Sequence, residues 1–90
     1  MKILYFKNDK CSVCGAVYPK VKNIAEKYSL EFEVIDVLEK PEIAGQHLVL
    51  TVPTVLIIDE NNQELARFSR NFSISEITNF INRFLELTKN

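Results

Sequence analysis

Cys11 and Cys14 are the only two cysteines among 90 residues, and they stand three positions apart in the run Cys11-Ser12-Val13-Cys14. Thiols at that spacing lie one helical turn apart on one face, near enough to bond without moving the backbone. A C-x-x-C pair beside a β-α-β pattern reads as a redox site, since such a dithiol trades electrons with other disulfides. Cys11 falls where the polar turn Asn8-Asp9-Lys10 meets an apolar-periodic segment, off the buried stripe, and is expected to be the nucleophile. Cys14 shares that stripe with Val17 and Val21 and is expected to be the shielded, resolving thiol. Only a thiolate attacks: at a pKa of about 8.5 roughly 3% of a thiol is ionised at pH 7, and at a pKa near 7 about half is. Free N–H groups and the dipole at a helix start supply part of the difference. Lys10 adds a favourable charge; Asp9 opposes it unless its carboxylate turns away.

The elements that must hold this pair follow from hydrophobic spacing. Residues 2–6 carry large apolar side chains on both faces and read as a buried strand. Asp9 is the expected N-cap of the next element. From Ser12 to Tyr28 the residues Cys14, Val17, Val21, Ile24 and Tyr28 recur at helical spacing, with Lys20, Lys22 and Lys27 on the solvent side. Pro19 lacks the N–H that would bond the Gly15 carbonyl, which predicts a kink in this helix but no stop, because the stripe continues past it. Leu30–Val37 is a second strand, parallel to the first through a right-handed crossover. Pro41 opens a brief helix to about Gln46, and Val55–Ile58 is a continuous apolar run suited to a central strand. Asp59-Glu60-Asn61-Asn62 turns the chain into an antiparallel return over Glu64–Phe68. Ser73-Ile74-Ser75-Glu76 is a capping box, with Phe72 placed to staple to Ile77. Ile74, Ile77, Ile81 and Phe84 form the stripe of the last helix, widened by Phe80 and Leu85. The order β-α-β-α-β-β-α predicts an α/β fold: a four-stranded mixed sheet with helices on both faces, as a single domain over residues 1–90.

Bulk properties narrow the function. A net charge of −1 gives no long-range attraction to nucleic acid or anionic membrane. No apolar stretch approaches the roughly 18 residues that span a bilayer, and the apolar run after Met1-Lys2 is too short for a signal peptide. Two cysteines are too few for a secreted disulfide scaffold, so the expected compartment is the cytoplasm.

The strand, C-x-x-C, a proline-bearing helix and Val52-Pro53-Thr54 together resemble the thioredoxin-like family over nearly the whole chain. Pro19 stands five residues after Cys14, where thioredoxins place their kinking proline, and Val52-Pro53-Thr54 resembles the family's cis-proline motif. The resemblance implies a minimal thioredoxin fold. It also implies a substrate surface around Val13, Val52 and Pro53 that offers backbone groups to an extended protein segment. Ile43-Ala44 and His47 stand where the family has a small apolar pair and an aromatic ring. Several positions depart from the pattern. Lys10 replaces the usual Trp, Ser12-Val13 replaces Gly-Pro, Tyr5 replaces the buried acid, and Arg70-Asn71 occupies the place of a glycine. No counterpart of the N-terminal strand and helix of full-length thioredoxins is expected. Thr51-Val52-Pro53 is also similar to glutaredoxin, but the Gly-Gly motif that follows the hairpin in glutaredoxins is missing.

The expected activity is therefore exchange or reduction of protein disulfides through Cys11 and Cys14. It uses no cofactor beyond that redox-active disulfide, and a reductase or small thiol supplies the electrons. The chain is expected to work as a monomer without nucleic acid, membrane or metal. The alternatives are a glutathione-dependent, glutaredoxin-like enzyme, and a redox-sensing or metal-bridging module whose cysteines do not turn over. A zinc site needs four ligands, and one chain offers two thiols and the distant His47, which reads more simply as a packing ring.

Overall fold

A computed structural model describes residues 1–88. Its elements are β1 (Lys2–Lys7), α1 (Ser12–Lys27), β2 (Glu31–Asp36), α2 (Pro41–Gln46), β3 (Thr54–Ile58), β4 (Glu64–Ser69) and α3 (Ile74–Leu87). The expected order is met, with boundaries shifted by a residue at several ends. The strands form one mixed sheet in the order β2-β1-β3-β4. β1 runs parallel to β2 and antiparallel to β3, and β3 pairs antiparallel with β4.

Alternation along β1 and β3 divides the core into two. Ile3, Tyr5, Val55 and Ile57 face one side, where they pack with Val21, Ile24 and Ala25 of α1 and with Ile77 and Ile81 of α3. Leu4, Phe6, Leu56 and Ile58 face the other, against Ala44 of α2 and Ile35 of β2. A central strand buried on both faces has no polar side, which is why β1 and β3 read as unbroken apolar runs. The His47 ring, just past α2, meets the Phe6 ring edge-on with centroids 6.0 Å apart, as a packing group.

The helix ends show where local chemistry decides. α1 continues through Pro19 without a stop. Ser29 follows it at φ 56, and the amides of Ser29 and Leu30 bond back to the carbonyls of Glu26 and Ala25. A left-handed residue closing a helix in this way is usually glycine, and here serine accepts the conformation. At the start of α3, Ser73 Oγ accepts the Glu76 amide at 3.2 Å, and Phe72 packs on the cluster that holds Ile77. Two expectations need correction. Asp9 does not cap α1; Cys11 does. Leu85 does not widen the apolar stripe of α3, since it is 42% exposed and the helix buries only Ile77 and Ile81 fully.

Candidate redox site

β1 carries the chain to the top of the sheet and a three-residue turn hands it to α1. The turn is held by its own groups. The Lys10 amide bonds to Asn8 Oδ1 at 2.8 Å and the Cys11 amide bonds to the Asn8 carbonyl at 3.2 Å. Lys7 Nζ holds Asp9 Oδ1 at 2.9 Å and reaches Asp36 Oδ2 at 3.4 Å, tying the ends of β1 and β2 together. The Asp9 carboxylate is thereby turned toward a cation, which is both why it does not cap the helix and why its charge is compensated close to the sulfurs. No acidic residue lies in the first turn of α1.

Cys11 is the N-cap, with φ −97° and ψ 100°, and its Sγ accepts the amide N–H of Cys14 at 3.1 Å. Cys11 is half-buried and Cys14 only 3% exposed. The two form a disulfide with Cα atoms 5.2 Å apart, inside the ordinary range for such bonds. The half-buried Cys11 thus sits at the positive end of a helix with an N–H aimed at its sulfur. Cys14 is inside. A thiolate on Cys11 would receive a charge-assisted hydrogen bond and the helix dipole, the two effects that lower a thiol pKa.

Tyr5 lies directly beneath. It is fully buried and its hydroxyl donates to the Cys14 carbonyl oxygen at 2.5 Å. Its ring sits with those of Tyr18 and Phe32, at centroid distances of 6.0 and 6.4 Å. Burial pushes the phenol up to about 12, so at neutral pH it is a donor and never a base. A cleft of about 500 Å³ opens beside it, lined by Tyr5, Lys7, Cys11, Cys14 and Tyr18 among others. Sequence reasoning placed Tyr5 in the core and saw a weak stand-in for an acid; it missed the hydroxyl that holds the carbonyl of the inner cysteine.

The Val52–Pro53 peptide is cis, as the family resemblance implies. Pro53 is buried and Val52 half-buried against the α2 side of the core, while Thr54 Oγ1 donates to the Thr51 carbonyl at 2.7 Å and braces the loop. Phe6 pairs with Thr54, so this loop enters the sheet beside the point where β1 leaves for Cys11. Asn8 and Val52 line one shared groove. Val13 is 56% exposed on the first turn of α1, and Lys10 is exposed next to Cys11. Among the described residues, no group of three or more His, Cys, Asp or Glu side chains is disposed to hold a metal ion.

The thioredoxin family model matches residues 1–83. This chain belongs to the thioredoxin family. Its fold superposes on thioredoxin 1 of Thermosipho africanus with a TM-score of 0.95 and 56% identity over the whole of both chains. The thioredoxin of Fasciola hepatica is 28% identical, with a TM-score of 0.79, over 90% of this chain and 77% of that one. The SPbeta prophage-derived thioredoxin-like protein YosR of Bacillus subtilis is 27% identical over 67 residues, 74% of this chain and 79% of that protein. With the family and a C-x-x-C disulfide at the head of α1, this thioredoxin is a thiol-disulfide oxidoreductase.

Proposed function

We propose that the chain reduces disulfides in other proteins by way of the Cys11-Ser12-Val13-Cys14 pair, Cys11 attacking and Cys14 resolving. The observation that carries this reading is the asymmetry of the two sulfurs: Cys11 Sγ is half-open and accepts a helix N-terminal amide, whereas Cys14 is enclosed. In the first step the Cys11 thiolate bonds to one sulfur of the substrate disulfide, whose S–S bond breaks and releases the other sulfur as a thiolate that takes a proton. In the second, the Cys14 thiolate bonds to Cys11 Sγ, and the mixed disulfide breaks to free the second substrate thiol. The substrate gains two electrons and two protons, and the protein keeps the Cys11–Cys14 disulfide. An external reductant, a reductase or a small dithiol, restores the pair. No bound cofactor enters either step.

Lys10 adds positive charge beside the attacking sulfur. Val13, Val52 and Pro53 form the rim on which an extended substrate segment lies, its main chain meeting the loop before β3. The chain acts as a single domain, as a monomer, and in the cytoplasm. Trapping tests the assignment. Cys14→Ser, reduced and then freed of reductant, should accumulate a mixed disulfide with insulin, and Cys11→Ser should accumulate none. Trapping by Cys11→Ser in place of Cys14→Ser would reverse the roles, and absence of insulin reduction by the parent would remove the activity.

A further inference from the structure

The order of the strands sets three features in a row along one end of the sheet. β1 leaves for Cys11, Pro53 enters β3 next to it, and Arg70 leaves β4 beyond that, since Thr54 pairs with Phe6 on one side and Ser69 on the other. Adjacent strands lie about 4.8 Å apart, so the Arg70 backbone is roughly 10 Å from the end of β1, within the reach of a few residues of extended substrate. Between Arg70 and the loop before β3 lies a cleft of about 400 Å³, lined by Leu48, Leu50, Thr51, Thr54, Arg67 and Arg70, among others. No carboxylate lines it. Leu48 is 72% and Leu50 90% exposed.

The two cations there are differently employed. Arg67 is committed: its guanidinium holds Glu64 Oε1 and Oε2 and the carbonyls of His47 and Leu48, fixing the leucine-bearing loop against β4. Arg70 is exposed and forms no ion pair among the described residues. The chain as a whole carries −1, so a positive rim at this place is local and not the overflow of a basic protein.

Resting on the reading that protein disulfides are the substrates, we propose that Arg70 is a specificity-determining residue. It selects disulfide-bearing segments that place an acidic side chain on the β4 side of the proline loop, with an apolar neighbour against Leu48 and Leu50. The electron transfer is that already described; Arg70 changes only which segments dock.

The test uses matched disulfide-linked peptides that carry Glu or Lys two residues from the cysteine, on either side in turn, with bis(2-hydroxyethyl) disulfide as an uncharged reference. For the parent, kcat/KM should favour the Glu peptide by about fivefold at low salt in one of the two placements, as a solvent-exposed charge pair allows, and the ratio should shrink as salt is added. Arg70→Gly relaxes the left-handed backbone at this position, where φ is 61, so it should keep its fold. It should bring the ratio to near one, and Arg70→Glu should invert it. All three proteins should reduce the uncharged disulfide equally. Equal Glu/Lys ratios in parent and Arg70→Gly, with the uncharged disulfide still turned over, would overturn the role of Arg70 alone. Failure of the parent on every disulfide would overturn the redox reading and this inference with it.

Discussion

Tyr5 and Cys11 each do something their residue types do not advertise. The Tyr5 phenol stands where the family resemblance implies a carboxylic acid, and it has no acid chemistry at neutral pH because burial holds it protonated, its pKa pushed up to about 12. What it contributes is an O–H fixed on the Cys14 carbonyl. Tyr5→Phe keeps the ring among Tyr18 and Phe32 and removes only that hydrogen bond, and should destabilise the oxidised protein by about 1 kcal/mol in a denaturant titration. The pH dependence has a definite sign. A phenol whose pKa is raised on folding keeps its proton longer in the native state, so the contribution of Tyr5 is whole below about 10 and is lost between about 10 and 12. The alkaline decline is shallower in Tyr5→Phe, where the raised Lys2 and Lys7 still lose theirs. An alkaline titration of parent and variant checks this. Neither contact was open to sequence reasoning. The Tyr5–Cys14 bond links a strand to the first turn of a helix, and apolar spacing carries no information about where a hydroxyl ends. The cap was misassigned because Asp9 is a better capping type than cysteine, and only the position of Lys7 shows why its carboxylate faces elsewhere.

At the scale of elements, the sequence was more readable. Periodicity placed α1, α3 and the four strands, and Ser73 marked the start of α3 by a mechanism that the structure repeats in its Oγ contact. What escaped were the left-handed residues at Ser29, Leu48, Asn62 and Arg70. None is glycine, so the usual flag for that backbone is missing. The junction of β1 and β2 depends on Asp36. Its carboxylate accepts the amides of Leu38 at 2.9 Å and Glu39 at 3.3 Å and meets Lys7, and these bonds, the Leu38 amide first, hold its pKa below the usual carboxylate range. A group depressed in this way stabilises the fold above its unfolded pKa, near 3.9, and the contribution is lost as pH falls through the native value. Glu33 and Glu64, lowered by hydrogen bonds from Lys2 and Arg67, act in the same direction. Asp36→Asn should therefore lower stability at pH 7 and show a shallower acid limb than the parent, measured by urea midpoints between pH 2 and 7.

For the whole molecule, the central fact is a sheet whose inner strands are covered on both sides while its helices are few. α1 and α3 share one face, and the short α2 with the loop after it closes the other. With so little material, each large side chain counts. Ile81 is fully buried where α3 meets the sheet, and Ile81→Ala should cost about 2–5 kcal/mol, a large part of the 5–15 kcal/mol typical of a domain, visible as a marked fall in Tm. Such a loss far from the sulfurs should leave the trapping behaviour of the folded fraction unaltered. The strand order has a last consequence, at the two margins of the sheet. β2 and β4 each expose a row of backbone groups to which another chain's strand can attach, the usual first step toward fibrils. β2 bears Glu31 beside Glu33, which Lys2 holds at 2.7 Å, and β4 bears the Glu64–Arg67 pair, so both margins carry charged side chains that a strand attaching there must desolvate. Charge along those outer strands guards a small protein against self-templating when it is crowded.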